Sequence, residues 1–318
     1  MSSKKKLSIV VMLFVVIAAR PAFAADTLIN VLTGGGNSVY YPLGTALGNA
    51  IGKEMPGVKT SVQTTKGSIE NLNMLEAGRG DIAFALGDSL SDAWKGNEEA
   101  GFKTPLRKLR GIAALYPNYI QIVARADSGI KALADLKGKR ISVGAPKSPI
   151  ELNARTIFKA AGLAYKDFAK VELLPFGESV ELMKERQIDA TLQSAAPGVS
   201  GLRDLATSVD IVVVPIPPDV IQKIDDSAYL PASIPANTYR GQSTDVPVIA
   251  VQNYLVTHEG VSDDTAYGMT KVLWTHLDAL TAAHPAAKAI DLKRAIEGMP
   301  VPLHPGAEKY YKEVGLIK

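Results

Sequence analysis

The sequence predicts an α/β protein of two similar lobes, joined by a two-strand hinge and facing each other across a cleft. One observation is the stretch 29–44, Ile-Asn-Val-Leu-Thr-Gly-Gly-Gly-Asn-Ser-Val-Tyr-Tyr-Pro-Leu-Gly, where a short apolar run meets three glycines and then a proline. Another is the return of that arrangement from Arg140, where a strand-like run leads through Ala-Pro-Lys-Ser-Pro-Ile-Glu (145–151) into a helix. The third is a pair of apolar runs, 119–124 and 246–256, placed to carry the chain out to a second lobe and back.

In the first stretch, Ile29, Val31 and Leu32 read as a buried strand. Three glycines let the backbone turn with positive φ and let a ligand approach main-chain N–H groups. Pro42 suits the first helical position, where a missing N–H is harmless. A helix N-terminus carries about half a positive charge, so the unit is a ready site for a small anion. The plain alternative is a tight turn with no ligand. A P-loop would need Lys-Ser/Thr after the last glycine, and a dinucleotide fingerprint would need glycine where Val39 stands, so a nucleotide is not expected.

Residues 1–24 have the parts of a cleaved export signal, with Lys4, Lys5 and Lys6, an apolar run over 7–19, and Ala22-Phe23-Ala24. That run falls short of the roughly 20 residues of a membrane span. Its removal takes four basic residues (Lys4, Lys5, Lys6, Arg20) and no acidic one. The 35 basic residues fall to 31 against 32 acidic, a net charge of −1. Neither nucleic acid nor an anionic membrane surface is implied as partner. No Cys is present, so no disulfide and no thiol chemistry enters. The rest of the chain is long enough for two domains, and a periplasmic location is expected.

Beyond the glycine turn, residues 43–55 read as a helix stopped by Pro56-Gly57, and 59–64 as a strand. Gly67-Ser68-Ile69-Glu70-Asn71-Leu72 opens a second helix whose Ile69, Leu72 and Leu75 share one face. A strand follows at 82–86. The second lobe repeats the order, with a strand at 140–144, a helix ending at Gly162, a helix from Gly177 and a strand at 188–192. Ser148 and Glu151 have capping-box spacing, with Pro149 between them. Alternating helices and short apolar strands predict a parallel sheet covered on both sides. Residues 25–120 and 250–318 form lobe one in this reading, 121–249 form lobe two, and a helix over 264–283 helps finish lobe one.

Thr33-Gly34-Gly35 with Val39-Tyr40-Tyr41-Pro42-Leu43-Gly44 resembles the signature of the TAXI family, the solute receptors of tripartite ATP-independent periplasmic (TRAP) transporters. The likeness continues through residues 67–72, 115–117, 125–130, 135–140, 153–155, 234–236, 283–287 and 302–307. It implies a type II periplasmic-binding-protein fold that closes on a small solute, in relatives often glutamate-like or a dicarboxylate, and delivers it to an ion-coupled permease. The chain departs from the usual pattern inside the pocket. Gly36, Asn37 and Ser38 replace Thr-Gly-Gly, Leu86-Gly87 replaces Gln-Ser before Asp88, and Ser148-Pro149-Ile150-Glu151 replaces Ser-Gly-Thr-Glu.

The candidate ligand-binding residues follow from the two facing turns. Backbone N–H groups of Gly34, Gly35, Gly36 and Asn37, and of Ser148, would bind an anionic head group. Tyr40 would cover it, and Ser68 and Asn71 would add polar contacts. Ser68 and Ser148 serve equally well as helix caps, and Asn71 as a loop brace. Arg155 either grips a carboxylate or pairs with Glu151 at i and i+4. Gln193 ends a second-lobe strand. No His-Glu-x-x-His, no Gly-x-Ser-x-Gly and no other enzyme signature is present. The expectation is a monomeric solute receptor with no metal or cofactor, feeding a TRAP permease. A ligand sensor signalling through a membrane partner is the alternative.

Overall fold

The computed structural model describes residues 27–36, 38–146 and 148–318. The export signal and Asn37 lie outside the described residues.

The first lobe opens with β1 (Thr27–Leu32), α1 (Tyr40–Glu54), β2 (Val58–Gln63), α2 (Ser68–Glu76), β3 (Ile82–Leu86) and α3 (Gly87–Lys95). The long strand β4 (Leu109–Arg125) then leads into the second lobe. That lobe holds β5 (Arg140–Ser142), α4 (Pro149–Ala160), β6 (Lys170–Glu172), α5 (Phe176–Lys184) and β7 (Ala190–Ala195). It continues with α6 (Ser200–Ser208), β8 (Ile211–Val214), α7 (Pro218–Gln222) and β9 (Tyr229–Ile234). The return strand β10 (Val246–His258) leads to α8 (Asp263–Thr275), α9 (Leu277–Ala283) and α10 (Pro305–Glu313).

One sheet runs through both lobes in the order β2-β1-β3-β10-β4-β7-β5-β6, with β8 beside β4 and β9 beside β10. Within each lobe the short strands pair in parallel, β1 with β2 and β3, and β5 with β6 and β7. The sheet is nevertheless mixed, not parallel. Strands β4 and β10 lie antiparallel to each other and to their flanking neighbours β3 and β7. One outgoing and one returning strand can pair side by side only in opposite directions. Their register shifts between Gln252 and Tyr254, an irregularity that re-aims the side chains around it.

Hydrophobic clusters divide along the chain in the same way. Two draw on residues 29–116 and 254–311, from Ile29 and Leu43 to Tyr310 and Tyr311. The other two draw only on residues 120–251, including Ile122, Phe158, Leu192 and Val248. The ends are tied together by Tyr311, whose hydroxyl donates to the Ile112 carbonyl at 2.8 Å and accepts from Trp274 Nε1 at 3.1 Å.

Several local expectations are corrected. None of Gly34, Gly35 and Gly36 adopts a positive φ. Helix α1 begins at Tyr40, so Pro42 is its third residue; proline is still harmless there, because the first-turn N–H groups have no partner within the helix. The helix expected over 264–283 breaks at His276 (φ −130°, ψ 32°) into α8 and α9. Ser148 does cap α4 by accepting from Glu151 N at 3.2 Å. The reciprocal half of the box does not form, because the Glu151 carboxylate turns to Arg155 and Tyr165.

Candidate functional site

Three helices begin at one place. Tyr40 of α1, Ser68 of α2 and Pro149 of α4 all line a cavity of about 270 Å³, together with Gly34, Gly35, Ser38, Gly67, Tyr116 and Asn253. Helix starts present unpaired backbone N–H groups and partial positive charge, so their convergence favours an anion. Pro149 brings the second lobe to a cavity otherwise formed by the first. A larger cavity of about 930 Å³ shares Val39, Tyr116 and Asn118 with it and reaches Ser194–Ser200 on one side and the 284–289 segment on the other. Among the described residues no Asp or Glu lines either cavity, whereas Lys66, Arg203 and Lys288 do.

The supports of this cradle are specific. The ring of Tyr40 stacks on buried Phe84 at 5.3 Å between centroids, and its hydroxyl donates to Asn253 Oδ1 at 2.6 Å. Asn253 in turn donates to the Tyr116 carbonyl at 2.8 Å. Burial is the main cause holding the Tyr40 phenol well above the usual tyrosine range, and the nearby Asp88 carboxylate adds to it. The phenol therefore stays a hydrogen-bond donor at any physiological pH. Ser68 Oγ accepts from Leu86 N at 3.1 Å and lies against the Tyr40 oxygen. One polar atom in the cavity wall is left over: Ser38 Oγ is buried with no hydrogen-bond partner. Buried polar groups without a partner are rare.

Of the expected site residues, the structure brings Gly34, Gly35, Tyr40 and Ser68 together in the cavity wall. Others have different partners. Asn71 is fully buried and its amide is consumed: Nδ2 donates to the carbonyls of Thr33 (2.6 Å) and Phe84 (2.8 Å), and Oδ1 accepts from Thr65 (2.7 Å). It braces the glycine loop against β3. Asn71→Ala would remove the amide's bonds to both carbonyls, leaving Thr33 O with Thr65 Oγ1 alone, and is expected to cost about 1–3 kcal/mol in urea denaturation. Lost anion affinity at unchanged stability would instead make it a ligand contact.

Ser148 donates its backbone N–H to the Ala145 carbonyl at 3.0 Å, so that group is not available to a ligand. Arg155 pairs with Glu151 at 2.5 Å, the i and i+4 alternative, and its guanidinium sits over Tyr165. Glu151 is itself buried under that pair. Gln193 is buried in β7 and donates to Thr191 Oγ1 at 2.8 Å. Gly36 is exposed and outside the cavity wall.

The residues that sequence reasoning missed are Ser38, Tyr116, Asn118 and Asn253. A signal was present for the last: Gln252-Asn253 interrupts an otherwise apolar run in β10, and polar side chains inside a central strand need a partner. Among the described residues, no helix is long and apolar enough to cross a membrane.

The site lies where two α/β lobes meet, beside the paired strands that join them, the arrangement of a bilobed binding-protein fold. Solved structures agree on the fold. PhnD1 from Prochlorococcus marinus, in complex with methylphosphonate, superposes with a TM-score of 0.55 at 14% identity, covering 92% of this chain and 100% of that one. A putative sulfonate ABC transporter component, the periplasmic sulfonate-binding protein SsuA from Methylobacillus flagellatus, also gives 0.55 at 14% identity, covering 92% and 96%. By sequence, residues 31–315 match the NMT1-like family, and the chain belongs to it. The match does not by itself single out the TAXI family.

Proposed function

We propose that the protein captures a small carboxylate or amino-acid-like solute by closing its lobes, 25–120 with 250–318 and 121–249, and hands it to a TRAP-type membrane permease. The observation that supports the capture step is the convergence of three helix N-termini on a cavity lined, among the described residues, by Lys66 and by no Asp or Glu. Charge-assisted hydrogen bonds of this kind contribute about 1.5–3 kcal/mol each. A few of them reach micromolar affinity, about −8 kcal/mol. The TRAP assignment rests on the resemblance of residues 33–44 and 67–72 to the TAXI signature. Sulfonates and phosphonates share the anionic head and belong in the same assay, given the two structural neighbours.

Gly35→Val tests the cavity. A Cβ added at Gly35 meets nothing within 4 Å and the backbone is not in the left-handed region, so valine should fold normally and project into the space the head group needs. Thermal unfolding of the ligand-stripped protein against carboxylates, sulfonates and phosphonates should show a shift of several degrees for one class, at a hundredfold excess over Kd. That shift should vanish in Gly35→Val while the unliganded melting temperature holds. A variant that binds as the parent does would place the site elsewhere.

A further inference from the structure

We infer that the solute is an amphipathic anion, a single acidic head carried on an apolar body of aromatic or branched-chain size, rather than a short dicarboxylate. This rests on the anion-receptor reading above and specifies what else the same site holds. The head cavity, at about 270 Å³, is smaller than the roughly 300–1,000 Å³ typical of small-molecule sites. Beside it, sharing Val39, Tyr116 and Asn118 as lining, lies the chamber of about 930 Å³, too large for a carboxylate alone.

The wall of that chamber is mostly apolar. Ala195, Ala196, Pro197 and Val199 of the second lobe face Pro285 and Ala286 of the first across it. Its cations, Arg203 and Lys288, are exposed residues, set to attract an anion during approach rather than to bury a second charge. One polar atom in the wall is unpartnered: Ser194 Oγ is buried without a hydrogen bond. Apolar walls reward apolar area removed from water, and a short dicarboxylate would leave most of that wall wet.

Calorimetric titration of the ligand-stripped protein with matched pairs tests this: propionate against 4-phenylbutyrate, propanesulfonate against 3-phenylpropanesulfonate, and glutarate as the dicarboxylate. The phenyl acid should bind at least tenfold more tightly than propionate, and more tightly than glutarate, since each buried methylene contributes about fourfold. Filling the chamber from exposed positions on either wall, with Ala196→Trp or Ala289→Trp, should collapse the phenyl-to-propyl ratio towards one. Equal affinity for the long and short acids, or a preference for glutarate that Arg203→Ala and Lys288→Ala abolish, would overturn the inference while leaving an anion receptor in place. A tenfold ratio in the sulfonate pair alone would keep the apolar chamber and overturn the carboxylate head. If none of the five anions binds, and Gly35→Val changes nothing, the receptor reading falls and this inference with it.

Discussion

Replacing Asp88 by asparagine is expected to make the protein lose less stability between pH 5 and pH 8 than the parent does. Asp88 opens α3 in the first lobe and is almost fully buried. Its carboxylate accepts from Ser89 N at 2.6 Å and from the Asn153 amide of α4 in the second lobe; that amide also donates to the Tyr229 hydroxyl of β9 at 3.0 Å. Burial raises the carboxyl most, the Ser89 and Asn153 bonds oppose it, the Asp92 and Asp226 carboxylates add to it, and the balance lies at about 7. A raised acid holds its proton in the native state where the unfolded chain has lost it. Its contribution is therefore complete below pH 3.8 and lost as pH rises through about 7. The full swing is about 4 kcal/mol, of which roughly 2–3 kcal/mol falls between pH 5 and pH 8. Urea denaturation at the two pH values, on both proteins, reads it directly. An identical pH slope in Asp88→Asn would mean that Asp88 is ionised throughout. Carboxylates whose pKa is lowered do not confuse the result. Asp189, beside Arg140 and Arg125, and Asp135, bonded to the Lys131 and Ala132 amides, lose their contributions only below about pH 4.

Phe84→Ala is the second large effect. Phe84 is fully buried at the centre of β3, packs in the first-lobe core and carries the stacked ring of Tyr40. Truncating a core phenylalanine costs about 3–5 kcal/mol. Here the cavity would open directly beneath the anion cradle, so Tyr40 would also lose the surface that sets its tilt. The expected result is a large fall in urea midpoint and weaker anion binding in the fraction still folded. Phe84→Leu, which keeps most of the apolar volume, should recover much of the stability and less of the binding. Full binding in both variants would show that the Tyr40 ring is positioned by its hydrogen bond to Asn253 alone.

How much of this was legible in the sequence depends on what kind of interaction fixes each feature. Strand β3 is found where its apolar residues put it, because a run bounded by Asp81 and Gly87 has only one way to be buried. The glycine turn and the Ser148 cap are local chemistry, readable within a few residues. The direction of β4 and β10 is not local, since an apolar run carries no arrow; only the path of the chain between them makes the pair antiparallel. The same limit applies to the site. Asn71 and Ser68 share one helix turn, yet one faces the loop it braces and the other the cavity, a difference set by packing against β3. Arg155 had two available partners, and burial of Glu151 on the same helix face decided between them. Several runs that carry the TAXI resemblance also hold the fold. Arg125, for example, bonds Asp127 and Asp189 within the second lobe.

The division of the hydrophobic clusters has a consequence for the order in which the protein is built. The buried residues of the second-lobe clusters all fall within 120–251, a continuous piece whose two ends lie side by side in neighbouring strands, Ile120 opposite Ile249, with Leu86 and Tyr119 outside it among the partly buried side chains packed against them. The main first-lobe cluster begins with Ile29 but is not closed until Tyr310 and Tyr311 have been added. Whenever the chain emerges from its N-terminus, the middle of the sequence can therefore reach its native packing while the beginning is still waiting for the end.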